Sequence, residues 1–200
     1  MKTLEGWIIK YNKASAPMKL SNGRTVTEYM SENAFKASVD AINAGAYQIE
    51  ANIEHNQNNA LNRIALSGQN LKLENRSEGV YFTCNLSDET VSNDIFEKAR
   101  AGIVTGLSIE FDKTPGIEPA YSTDGAGNYT RTFKSAILKG FAITAKGFYP
   151  DAQITSAVET VNTRSNATVE LETIVKEIAT IEHQNRLHKY YQDIGWLYNH

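Results

Sequence analysis

Two hundred residues with a net charge of −3, 41% apolar and 22% charged, describe a globular chain long enough for one ordinary domain plus an appendage. The 20 Lys and Arg residues are scattered, which excludes a basic stripe for gripping nucleic acid. No apolar window reaches the length of a membrane span or of a signal-peptide core, so the chain is expected to stay in the cytoplasm and not be secreted.

The opening GWIIKYN reads as a strand ending at a polar turn, and SNGRTVTEYM as a short hairpin with Asn-Gly as its turn. Ser31 is the expected cap of a helix through SENAFKASVDAINAG, with Ala34, Phe35, Val39 and Ile42 near one face and Gly45 as its stop. YQIEANIEH alternates Ile49, Ala51 and Ile53 against Glu50, Asn52 and Glu54, the period of a half-buried strand. RIALSG, NLKLEN and GVYFTCNL follow as strands between Gly, Asn and Ser turns. The single Cys84 lies in the last of these, where a buried structural thiol is expected and no disulfide is available. Ser87 or Asp88 then caps a second helix through TVSNDIFEKARA, closed by Gly102.

IVTGLSIEF is the next strand, with Ile103, Thr105, Leu107, Ile109 and Phe111 on one face. A loop with a DGAGN hairpin turn leads to YTRTFKSAILKGFAITAKGF, two strands or one long bent strand. Near Thr155 the composition turns small and polar. Beyond it Leu171, Ile174, Val175, Ile178 and Ile181 recur at helical spacing. The expected organisation is a body at 1–153, a linker at 154–166 and a helical tail at 167–200, whose apolar stripe would pack on the body or on a second copy.

The chemistry worth weighing sits at His55 and Ser108. His55 is the one histidine of the body, since His183, His188 and His200 lie in the tail. A base and a hydroxyl brought together by a β-rich fold suffice for covalent hydrolysis. Against this, a histidine at a strand end and a serine after glycine are commonly structural. Ile109 and Glu110 follow Ser108, so the GxSxG elbow of α/β-hydrolases is missing. No HExxH, CxxC, P-loop or dinucleotide fingerprint is present, and no cofactor or metal is expected. Strict alternation would also put His55 and Ser108 on opposite faces, unless His55 lies past the regular strand or a bulge re-aims one of them.

Four landmarks in order resemble the prohead proteases of tailed bacteriophages, serine proteases of capsid maturation distantly similar to herpesvirus assemblin. They are GWIIKYN, EYMSENAFKASV, the histidine block NIEHNQ with the strands after it, and AGIVTGLSIEF. The resemblance implies an α+β, β-rich fold, a small and mostly antiparallel barrel flanked by helices, followed here by the helical tail. It implies Ser108 as nucleophile and His55 as general base. Oxyanion donors are expected from AKGFYPDA, with the backbone N–H groups of Lys146, Gly147 and Phe148 as candidates.

One departure stands out. The family's orienting acid would fall in ILKGFAIT, where Lys139 and Gly140 stand, and no Asp or Glu occurs between Asp124 and Asp151. Either a Ser–His dyad suffices, helped by water or a carbonyl, or an acid comes from elsewhere. Glu54, Glu110 and Asp112 are nearest, and Glu110 is the preferred stand-in because it shares a strand face with Ser108. A solvated salt-bridging role competes for it. The function implied is a maturation endopeptidase inside the assembling procapsid in the host cytoplasm. Its substrates would be scaffold or the N-terminal region of the major capsid protein, with self-association through the tail. The rival is a non-catalytic assembly or scaffold-binding protein on the same fold.

Overall fold

The computed structural model describes residues 1–55 and 62–160. The C-terminal part of the expected linker and the whole expected helical tail, 167–200, lie outside them. Met1–Thr160 forms one compact unit. The start of the expected linker is instead part of the body: Gln153–Glu159 is a strand that pairs along the first strand of the chain.

Twelve strands and two helices make up the described body. In chain order they are β1 (Lys2–Lys10), β2 (Met18–Lys19), β3 (Thr25–Met30), α1 (Lys36–Asn43), β4 (Glu50–Ile53), β5 (Arg63–Leu66) and β6 (Leu71–Arg76). There follow β7 (Gly79–Leu86), α2 (Thr90–Arg100), β8 (Gly106–Lys113), β9 (Ala120–Thr123), β10 (Tyr129–Phe133), β11 (Ala136–Thr144) and β12 (Gln153–Glu159). Eight strands form a nearly closed barrel in the order β5-β4-β11-β8-β12-β1-β7-β6. Pairing in it is antiparallel except between β4 and β11. A second sheet, β2-β3-β10-β9, lies beside it. The segment YTRTFKSAILKGFAIT is thus two strands in two different sheets, broken at Lys134-Ser135.

The seam between β5 and β6 is held by Asn70. Its side-chain amide donates to the carbonyls of Ile64 and Asn85, and its Oδ1 accepts from the Leu66 N–H. The apolar residues that alternate along the strands fill the barrel. Leu4, Ile8, Leu73, Leu107 and Ile143 are all at or below 1% exposure, and the Phe82 and Phe141 rings meet at 5.1 Å. Truncating one such aliphatic side chain to alanine costs about 2–5 kcal/mol.

Both helices start later than their expected caps. Asn33 takes a left-handed backbone (φ 62), which breaks the helical run between Ser31 and Lys36, and α1 begins after it without a side-chain cap. In α2 the extended residue before the helix is Glu89, while Ser87 Oγ lies 3.2 Å from Ser92 Oγ. Gly45 and Gly102 follow the two helices as expected. Ile103 is 68% exposed in the turn after α2, so the face read along IVTGLSIEF starts in earnest at Leu107. No helix among the described residues is long and apolar enough to cross a membrane.

Cys84 is buried on β7, as its sequence context suggested, and burial pushes its thiol up to about 12. Burial likewise pushes the Tyr11 phenol up to about 12 and raises that of Tyr149. The folded state therefore holds these protons at pH values where the unfolded chain releases them. Their contribution to stability is complete below about pH 9 and is lost as the pH rises from there towards 12. Each such group removes about 1.4 kcal/mol per pH unit within its window. Denaturant midpoints should accordingly fall between pH 9 and 11. A flat midpoint across that range would contradict the burial of these groups.

Candidate active site

The register of three neighbouring strands places the residues of interest in rows. Ser108 on β8 pairs with Ala142 on β11, which pairs in turn with Asn52 on β4. One residue along, Ile109, Phe141 and Ala51 form the adjoining row and point into the barrel core. Directly opposed residues share a face and successive residues alternate, so Ser108, Ala142 and Asn52 look out of the barrel. Glu110 looks out with them, two residues beyond Ser108. Its partner on β11 is Gly140, reached after a register shift that passes over Lys139.

Gly140 leaves room for the Glu110 carboxyl group. A Cβ at that position would lie 3.1 Å from Glu110 Oε2 and 3.1 Å from the Glu50 carbonyl oxygen. The central strand therefore offers no side chain where the family pattern leads one to expect a carboxylate. The carboxyl group of the neighbouring strand occupies that space. Glu110 is only 14% exposed, a different situation from a solvated surface charge. Asp112, a weaker sequence candidate, is 66% exposed and faces Lys139 at 3.8 Å.

His55 reaches Glu110 by leaving its strand. Regular pairing of β4 ends at Ile53, and both Glu54 (φ 52) and His55 (φ 56) adopt left-handed backbone. Two such residues in succession undo the alternation that would have turned His55 into the core. Non-glycine residues enter this region at a cost of about 1–2 kcal/mol each. The Glu54 N–H donates to the Ile143 carbonyl at 3.1 Å and helps hold the turn. His55 Nδ1 then lies 2.7 Å from Glu110 Oε1, and the Asn52 amide donates to the same oxygen at 3.4 Å. With Nδ1–H given to the carboxylate, Nε2 is left as the basic nitrogen. The Ser108 hydroxyl makes no hydrogen bond among the described residues, so the histidine–acid half of a relay is closed and the serine half is open.

The loop after β11 packs against the backbone at the start of β8. Gly106 and Gly147 allow the contact: a Cβ on Gly147 would overlap the Leu107 carbonyl oxygen, and one on Gly106 would sit 2.9 Å from the Gly147 nitrogen. Leu107 immediately precedes Ser108, so Lys146, Gly147 and Phe148 are packed beside the serine's own strand. Among the described residues their N–H groups donate no hydrogen bond, whereas the Ala145 N–H donates to Glu54. A cleft of about 240 Å³ opens beside this loop, lined by Gly106, Lys146, Gly147, Ala16 and Gln153 among others.

Asn52 and Thr144 had no signal in the sequence. A buried asparagine on a strand looks like any polar member of an alternating run until the strands are laid side by side. Asn52 is 1% exposed and its Oδ1 has no partner among the described residues.

Compared with known proteins, residues 1–168 match the family described as Caudovirus prohead serine protease. None of the curated proteins and none of the solved structures matches the chain. The family match covers more than four-fifths of the sequence, and with it the whole described body. The chain belongs to the Caudovirus prohead serine protease family, the serine peptidases of phage capsid maturation.

Proposed function

We propose that the chain is a prohead maturation endopeptidase in which Ser108 is the nucleophile, His55 the general base and Glu110 the orienting acid. The observation that carries this reading is the 2.7 Å contact of His55 Nδ1 with Glu110, on the barrel face that also bears Ser108. Glu110 holds the imidazole in the tautomer that leaves Nε2 free. Nε2 takes the proton of the Ser108 hydroxyl as the oxygen attacks the scissile carbonyl, then returns it to the leaving amine. Water enters by the same route to release the acyl group. Glu110 stabilises the imidazolium formed in each half-reaction. Ser108 and His55 share no hydrogen bond, which is compatible with an unliganded enzyme, where such bonds tighten on substrate binding. Lys146, Gly147 and Phe148 supply the oxyanion donors through their unused N–H groups.

The substrates of this reading are scaffold protein and the N-terminal region of the major capsid protein, met inside the procapsid in the host cytoplasm. Residues 167–200 would tether the enzyme to the assembling shell or to a second copy. The rival reading, an assembly protein that has lost catalysis, leaned on the missing acid, and the contact of Glu110 with His55 speaks against it. A fluorophosphonate probe tests the assignment directly. Wild type is expected to gain one adduct, and Ser108→Ala and His55→Gln none. Equal labelling of the Ser108→Ala chain would sink the nucleophile.

A further inference from the structure

Residues Ala145–Tyr149 belong to no strand, yet both ends of the segment are tied by carboxylates that the proton relay does not use. At the first end the Glu54 side chain accepts two bonds, from Thr144 Oγ1 at 3.0 Å and from the Ala145 N–H at 3.2 Å. At the other end the Tyr149 hydroxyl donates to Glu28 Oε2 at 3.0 Å. Glu28 is 3% exposed and Tyr149 2% exposed, and the Arg131 guanidinium on β10 pairs with the same carboxylate. Glu28 is itself fixed by the segment after β1. Its N–H donates to Ser15 Oγ at 2.9 Å, and its carbonyl accepts from the Ser15 N–H at 2.9 Å. The next residue, Ala16, donates its N–H to the Phe148 carbonyl at 2.7 Å.

We infer that Glu54 and the buried Tyr149–Glu28–Arg131 group are positioning residues that hold the 145–149 loop with its free N–H groups set for the oxyanion. The inference rests on the reading of this loop as the source of the oxyanion donors. Such donors act only if they are already aimed before charge develops, within about 0.5 Å of the productive position. A loop outside any ladder lacks that rigidity unless something supplies it. A buried carboxylate between an arginine and a phenol is directional, as an apolar plug of the same volume would not be. Burial raises the Tyr149 phenol, which keeps it a donor throughout the neutral range.

Glu54 adds a second consequence. It is the residue before His55, so one side chain ties the turn that presents the base to the loop that presents the donors. The spacing between base and oxyanion donors is then a property of one carboxylate rather than of two independent loops. The three exposed-to-buried tethers come from three places: the end of β4, the small sheet, and the segment after β1.

The test uses the full-length chain with Tyr149→Phe, which removes the bond to Glu28, and Glu54→Gln, which keeps the side chain's shape but leaves only one of its two oxygens to accept. Amide hydrogen exchange is followed on peptides spanning 144–150, and saturation kinetics are measured with a fluorophosphonate. The expected result is faster exchange confined to that segment. The maximal acylation rate should fall about tenfold, part of the 10²–10³ lost when an oxyanion donor is removed outright. The half-saturating probe concentration should stay near wild type. Unchanged exchange in both variants overturns the tethering, as does a slower acylation without faster exchange. Faster exchange with an unchanged acylation rate places the failure in the oxyanion reading of the loop, and the proposal falls with it.

Discussion

Ser108→Ala, co-expressed with the cognate capsid and scaffold proteins, is expected to leave both at their full-length masses while wild type trims them. The substitution removes one oxygen from a half-exposed position on β8, where the partner across the ladder is the small Ala142, so the fold should be unaffected. Loss of a nucleophilic serine in a relay of this kind lowers turnover by about 10⁶-fold, beyond what residual oxyanion stabilisation can make visible in a cell. Intact mass is the readout because it reports the product and its cleavage site in one spectrum. Trimming that persists in Ser108→Ala would remove the serine from the chemistry. Absence of trimming by wild type despite assembled shells would favour the assembly-protein reading.

Glu110→Ala is expected to lower the acylation rate by about 10³–10⁴, with little change in substrate affinity. The alanine deletes the acceptor for His55 Nδ1–H and leaves the Asn52 amide without its partner, so the imidazole loses both orientation and charge stabilisation. Glu110→Gln should fall between, at about 10–100-fold. A glutamine carbonyl can still accept from Nδ1 and from Asn52, while the negative charge facing the imidazolium is gone. The ordering wild type, Gln, Ala separates an orienting acid from a surface ion pair, for which both variants would behave like wild type. Stopped-flow acylation with a chromogenic ester reads it without knowledge of the natural cleavage site.

Ser108 and His55 were legible as candidates along the chain, and their geometry was not. The Gly-Leu-Ser-Ile-Glu-Phe run and the lone body histidine are local facts, visible in order along the chain. The alternation of Leu107 and Ile109 around Ser108 already said that the serine faces away from the core. The short period-two runs that became β5, β6 and β7 were legible in the same way. The first helix was placed too early because a capping letter at Ser31 does not report the left-handed turn at Asn33, while the second starts at Thr90 as read, with Glu89 rather than Ser87 or Asp88 before it.

By itself the sequence determined a succession of short strands with two helices between them, the buried thiol at Cys84, and a lone body histidine and a serine as candidates for chemistry. These follow from periodicity and from side-chain chemistry, which act over a few residues. Tertiary structure alone decided the rest. The parallel pairing of β4 with β11 places Asn52 in the row of Ser108. The two left-handed residues at 54 and 55 swing the histidine off the core face. Gly140 yields its space to a carboxylate from the adjacent strand. A missing acid in one strand and a spare acid in the next look unrelated along the chain. They become one feature when strand register brings them within contact, because register is set by the packing of the whole barrel and not by any single strand.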